Sequence, residues 1–97
     1  MRVLYSPQIN EKDTLGYVFS GSKVTVTYNG QSYNYDFTNL SNGKATSYGS
    51  SPTIVSKLPI NPVIDVVNDN GILSVRLLKF ISANATNLEG FLEWFEV

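Results

Sequence analysis

LGYVFSGSKVTVTYNGQSYNYDF, residues 15–37, holds two tight-turn signals, Gly21-Ser22 and Asn29-Gly30. Asn-Gly suits a type I′ turn, because both central residues of that turn need a positive φ. Two-residue turns fix the pairing of their flanks, so the stretch reads as an antiparallel meander from Leu15 to Phe37. Around Gly21-Ser22, Phe19 faces Val24, Tyr17 faces Val26 and Leu15 faces Tyr28. Around Asn29-Gly30, Val26 faces Tyr33 and Val24 faces Tyr35. Every one of these pairs is apolar or aromatic, and all lie on one face. The other face sets Thr25 against Asn34, Thr27 against Ser32 and Lys23 against Asp36. A slip of one residue would turn the aromatics into water, so the register is strongly specified.

A second hairpin follows the same logic. Val63–Asn68 and Ile72–Ile81 flank Asp69-Asn70-Gly71. With Asn70-Gly71 at the centre of the turn, Val66 faces Val75, Ile64 faces Leu77 and Asp65 faces Arg76. The charge pair agrees with the apolar register, whereas a turn at Asp69-Asn70 loses it. Val63, Val67, Leu78 and Phe80 fall on the second face. Apolar residues on both sides suit a central strand pair.

The remaining segments read as shorter pieces. Met1–Tyr5 is a β-prone run closed by Ser6-Pro7 and is expected as a first strand at a sheet edge. Gln8–Thr14 is a polar connection. Thr38–Pro52 loses all periodicity and is rich in Asn, Ser and Gly, so residues 38–52 are expected to form a long polar loop, with Tyr48 inside it. Thr53–Leu58 is a short strand candidate. The prolines of Leu58-Pro59-Ile60-Asn61-Pro62 keep that segment extended, at an edge or between sheets. Residues 84–88 have room for one helical turn. Phe91–Val97 is expected as a terminal strand whose aromatics dock on the sheet.

Composition bounds the function. The chain has 97 residues, 42% of them hydrophobic and 12% aromatic, enough for one modest core and one domain spanning residues 1–97. Its net charge is −1 with no basic run, which disfavours nucleic-acid binding. It contains no cysteine and no histidine, so disulfides, zinc-thiolate sites and imidazole ligation are excluded. No apolar stretch approaches the roughly 20 residues of a membrane helix, and the N-terminus lacks a signal-peptide pattern. The expectation is a protein made in a cytoplasm, with no membrane partner. Two glycosylation sequons, at Asn39 and Asn84, read as chance matches in that setting.

The search for chemistry finds no constellation. Asp36 and Asp65 have strand partners of their own, and the remaining carboxylates read as solvated surface. Asn68-Asp69-Asn70-Gly71 superficially matches a calcium loop. Placing Gly71 at the sixth position puts Val66 first and Leu77 last, both apolar, so the stretch is a turn. Ser22-Lys23 and Ser56-Lys57 are neighbours along extended chain and point to opposite faces. No glycine-rich loop precedes a helix. No enzyme, cofactor or metal is expected. Tyr17, Tyr28, Tyr33, Tyr35 and Phe37 admit three readings: a stacking platform for bases or sugars, a protein interface, or the buried face of the meander. The last is the simplest, because this is the meander's only strongly apolar side.

Several short stretches resemble small phage and prophage proteins of about this length. They are Val3-Leu4-Tyr5-Ser6-Pro7-Gln8, Asp36-Phe37, Leu58-Pro59-Ile60-Asn61-Pro62, Gly71-Ile72-Leu73 and Trp94-Phe95-Glu96-Val97. Residues 39–52 look like an insertion relative to that pattern. The resemblance implies a tail or late-gene neighbourhood, and carries no site residue with it.

These readings combine into one expectation. The fold is all-β: a small antiparallel sandwich or open barrel of about seven to eight short strands built from hairpins. The meander forms one layer, and the Val63–Ile81 hairpin with the terminal strand forms the other. The expected function is that of a non-enzymatic phage or prophage structural or assembly protein, a tail-associated one among them, in the host cytoplasm or the virion. Its partners are other phage or host proteins or a second copy of itself, met through Tyr17, Tyr33, Tyr35 and Tyr48. The alternative is a carbohydrate- or peptide-binding module that uses Tyr48, the surrounding loop at residues 39–52 and nearby tyrosines.

Overall fold

The computed structural model describes residues 1–46, 54, 56–83 and 93–97. Their strands are β1 (Arg2–Ile9), β2 (Leu15–Ser20), β3 (Lys23–Tyr28), β4 (Gln31–Asp36), β5 (Gly43–Thr46), β6 (Val63–Asp69), β7 (Ile72–Ile81) and β8 (Phe95–Glu96). The described residues contain no helix, and so none long and apolar enough to cross a membrane.

The meander has the expected register at every pair named above. Its turns show why. Asn29 and Gly30 take φ of 48° and 85°, and Asn70 and Gly71 take 51° and 92°, the double positive φ of a type I′ turn. On the outer face, Thr25 Oγ1 donates to Asn34 Oδ1 at 2.7 Å, and the Thr27 and Ser32 hydroxyls bond at 2.9 Å.

The strands form two sheets, β2-β3-β4 and β5-β6-β7-β1-β8. Their inner faces share one core. Val24, Val26 and Tyr35 come from the meander, and Val3, Ala45, Val63, Val66, Leu73, Val75 and Leu77 from the larger sheet. Tyr17, Tyr33, Phe19 and Leu15 pack around this core, half-buried. The aromatic face of the meander is therefore turned inward.

Four expectations are corrected. First, not all pairing is antiparallel: β1 runs parallel to β7 from Arg2↔Ser74 to Ile9↔Ile81. β1 also continues through Ser6-Pro7. Asn10 N–H donates to Ile81 O and Val97 N–H to Met1 O. Even-numbered residues of β1 thus turn their amides to β7 and odd ones away from it. Pro7, which lacks a donor, faces away, so the ladder to β7 loses no bond. β8 pairs with Arg2 and Val3, and among the described residues no other segment pairs with the rest of that side of β1.

Second, the stretch read as a loop over 38–52 contains β5, antiparallel to β6 with Ala45 opposite Val66. Ala45 is its only apolar residue, too little for a period to be legible. Residues 47–53 lie outside the described residues. Third, residues 56–58 are not a strand, although Ile54 N–H donates to Thr46 O at 2.9 Å. Fourth, Val63 and not Ile64 faces Leu77, because a bulge between Val63 and Asp65 shifts the register. The bulge moves Val63 to the core face and leaves Asp65↔Arg76 and Val66↔Val75 as expected. The helical turn at 84–88 and Phe91 and Leu92 of the expected terminal strand fall outside the described residues; of Glu93–Val97, only Phe95 and Glu96 are strand.

Candidate functional site

Asp65 is the one buried charged residue among those described, 4% exposed, on the larger sheet's outer face. Arg76 Nε lies 2.9 Å from both of its oxygens, its Nη2 reaches Oδ2, and Lys44 Nζ stands 3.5 Å away. Burial pushes the Asp65 carboxyl upward, but bonding to Arg76 and the charges of Arg76 and Lys44 outweigh it and hold it below the usual carboxylate range. All the charges are mutually engaged. This cluster is structural: Asp65 has the strand partner expected of it, Arg76, and is buried with it.

The expected tyrosines separate into different roles. Tyr35 is 4% exposed, and its hydroxyl donates to Ser56 Oγ at 2.7 Å. Ser56 Oγ donates on to Ile60 O at 2.8 Å. That relay pins the proline-rich segment against β4. Tyr33 sits edge-on to Tyr35 with ring centroids 4.9 Å apart. Tyr17 turns inward, and its hydroxyl donates to Leu78 O on β7. Its burial, with Tyr5 and Tyr35 nearby, pushes its pKa well above the usual phenol value. Tyr48 lies outside the described residues.

Tyr17 also belongs to a row the sequence left unconnected. Phe19 and Tyr17 stack at 6.3 Å, Tyr17 and Tyr5 at 6.0 Å, and Tyr5 and Phe95 meet at 5.2 Å. The half-buried rings run from β2 across β1 to β8. Lys79 Nζ lies 5.2 Å from the Tyr5 ring, and Arg2 lies 5.2 Å over Trp94, which is 38% exposed. The aromatic close of the chain was legible, but its neighbour was not, because parallel pairing of β1 to β7 leaves no local signal.

Beside this row runs the open edge of β2. Asn29 N–H donates to Thr14 O at 3.1 Å, which sets the ladder phase. Even-numbered residues of β2 face β3, and Leu15, Tyr17 and Phe19 turn their amides and carbonyls outward. No other described segment pairs with that edge. On the solvent side of β2, Val18 is 66% exposed and Gly16 has open space where a Cβ would stand.

The shallow depression at residues 39–44 is tied down by its own polar groups. Asn42 and Asn70 exchange two bonds, at 3.1 and 3.2 Å, and Asn68 Nδ2 donates to Leu40 O at 2.6 Å. Comparison with protein-family models, curated proteins and solved structures gives no match to this chain.

Proposed function

We propose that this protein is a non-enzymatic binding module that acts through protein–protein contacts at the β2 edge and the aromatic row beside it. The observation that carries this is the backbone of Leu15, Tyr17 and Phe19, unpaired among the described residues and flanked by half-buried rings. Such an edge offers directional bonds to an added strand, and the rings offer contact area at low entropic cost. Tyr17 serves this site as a ring that sets the edge in place, while Tyr35 serves the core. The finer reading of the fold as a sandwich of two open sheets goes with it, since an open β2 edge is foreign to a closed barrel. The phage or prophage setting, as an assembly or tail-associated component in host cytoplasm or virion, rests on the sequence resemblance.

The carbohydrate- or peptide-binding reading at 39–52 draws less support, because Asn42 and Leu40 in the described part of that stretch are spent on Asn70 and Asn68. The test is binding of the immobilised chain to purified phage particles, to host proteins and to a labelled second copy of the chain. Binding that Val18→Lys abolishes and Asn39→Ala leaves intact supports the β2 edge. Binding that follows residues 39–52 instead, or none at all, overturns it.

A further inference from the structure

We infer that a second copy of this chain occupies the β2 edge, pairing antiparallel with its own counterpart about a twofold axis at Tyr17. This rests on the reading of that edge as a protein contact and names its partner.

The two sheets end in β5, β8, β2 and β4. Proteins guard sheet edges with charge, proline or covering chain. β4 carries Asp36, with its carboxylate bonded to Thr38 at the strand's end. β5 carries Lys44, and Ile54 bonds to it at Thr46. β8 is two residues long, and the part of β1 beyond it carries Pro7. β2, Leu15-Gly-Tyr-Val-Phe-Ser20, has no charge, no proline and no covering segment among the described residues.

The pattern of outward groups selects the occupant. Leu15, Tyr17 and Phe19 are spaced symmetrically about Tyr17. A twofold axis there pairs Tyr17 with Tyr17 of the second copy, and Leu15 with Phe19. Every outward amide and carbonyl of both strands then meets its complement, as an isologous contact requires. The same axis sets Val18 opposite Gly16 of the other copy, in the closer, non-hydrogen-bonded type of pair, about 4.5 Å between Cα atoms. The exposed Val18 side chain thus lies over a residue with no side chain, and Gly16 has no neighbour of its own within 4 Å to obstruct it. A strand of another protein would need this small-large alternation by chance, whereas a second copy supplies it in the correct order.

Sedimentation velocity on the full chain over a concentration series gives the first readout. A concentration-dependent dimer is expected, and Val18→Lys, which sets like charges near the axis, should shift its dissociation constant at least tenfold with an unchanged circular dichroism spectrum. The register is read by mixing Gly16→Cys with Val18→Cys chains under mild oxidation, since the native chain has no cysteine. A disulfide between the two variants, at a rate well above that of either alone, supports the pairing. A chain that is monomeric at millimolar concentration, or a dimer indifferent to Val18→Lys, overturns it. A monomer that still binds a phage or host protein in a Val18-dependent way overturns the second copy and leaves the edge reading standing.

Discussion

The Tyr17 hydroxyl donates to the Leu78 carbonyl, and the reason lies on the neighbouring strand. Leu78 N–H donates to Pro62 O at 2.8 Å, but Pro62 has no N–H to return the bond. A side chain from the other sheet supplies the donor instead. One contact thereby joins the meander to the larger sheet and sets the β2 edge in place.

Tyr17→Phe should therefore destabilise the fold by about 1–3 kcal/mol, the cost of leaving a part-buried acceptor without its donor. Urea unfolding measures it. In a Pro62→Ala background the restored amide can serve Leu78, so the same change should cost less. Equal costs in both backgrounds would show that Pro62 is irrelevant to the bond.

Arg76 and Lys44 both contact Asp65, but their removal should differ sharply. Arg76→Ala leaves a buried carboxylate with one solvated partner and should cost about 3 kcal/mol or more. Lys44, whose side chain is 57% exposed, should cost under about 1 kcal/mol. Similar losses for the two would place the energy of the cluster elsewhere.

Acid should expose the same group. The Asp65 carboxyl is held low in the folded chain, so its contribution is complete above its unfolded value, about 3.9, and is lost as pH falls through the folded one. Asp13, held low chiefly by its bond from Asn29, and Asp36, held low chiefly by Thr38, share that limb. Asp65→Asn should flatten the loss of thermal stability below about pH 4 without removing it. An unchanged slope would contradict the assignment.

Alkali acts through the phenols. Burial, with the neighbouring Tyr5 and Tyr35, raises Tyr17, and burial also raises Tyr35. A raised folded value gives stability that is complete below the unfolded pKa, about 10, and is lost as pH climbs beyond it. Thermal melts from pH 9 to 11 should show a falling midpoint, and Tyr17→Phe should soften the fall.

Much of the fold was legible because its signals are local. Asn29-Gly30 and Asn70-Gly71 dictate their turns, and the turns dictate register, down to Asp65 against Arg76. What stayed hidden is long-range or quiet. Parallel pairing of β1 to β7 joins residues more than seventy apart with no turn to announce it. Pro7 suggested a strand end, whereas its missing donor simply faces away from β7. Ala45 is too small to mark β5 as a strand, and the bulge after Val63 has no glycine to betray it. For the site, the aromatic residues were visible but their division was not. Tyr35 and Tyr17 read alike in sequence, and only the packing of the sheets sends one to the core and sets the other beside an open edge.

The most direct test of that edge is amide hydrogen exchange of the full chain at low and high protein concentration. Leu15, Tyr17 and Phe19 should exchange fast when dilute and gain protection together when concentrated, while Ser32, Asn34 and Asp36 on the far edge of the meander stay fast. Protection of the far edge instead, or no change at Leu15, Tyr17 and Phe19 either on concentration or on adding phage or host proteins, would contradict the account.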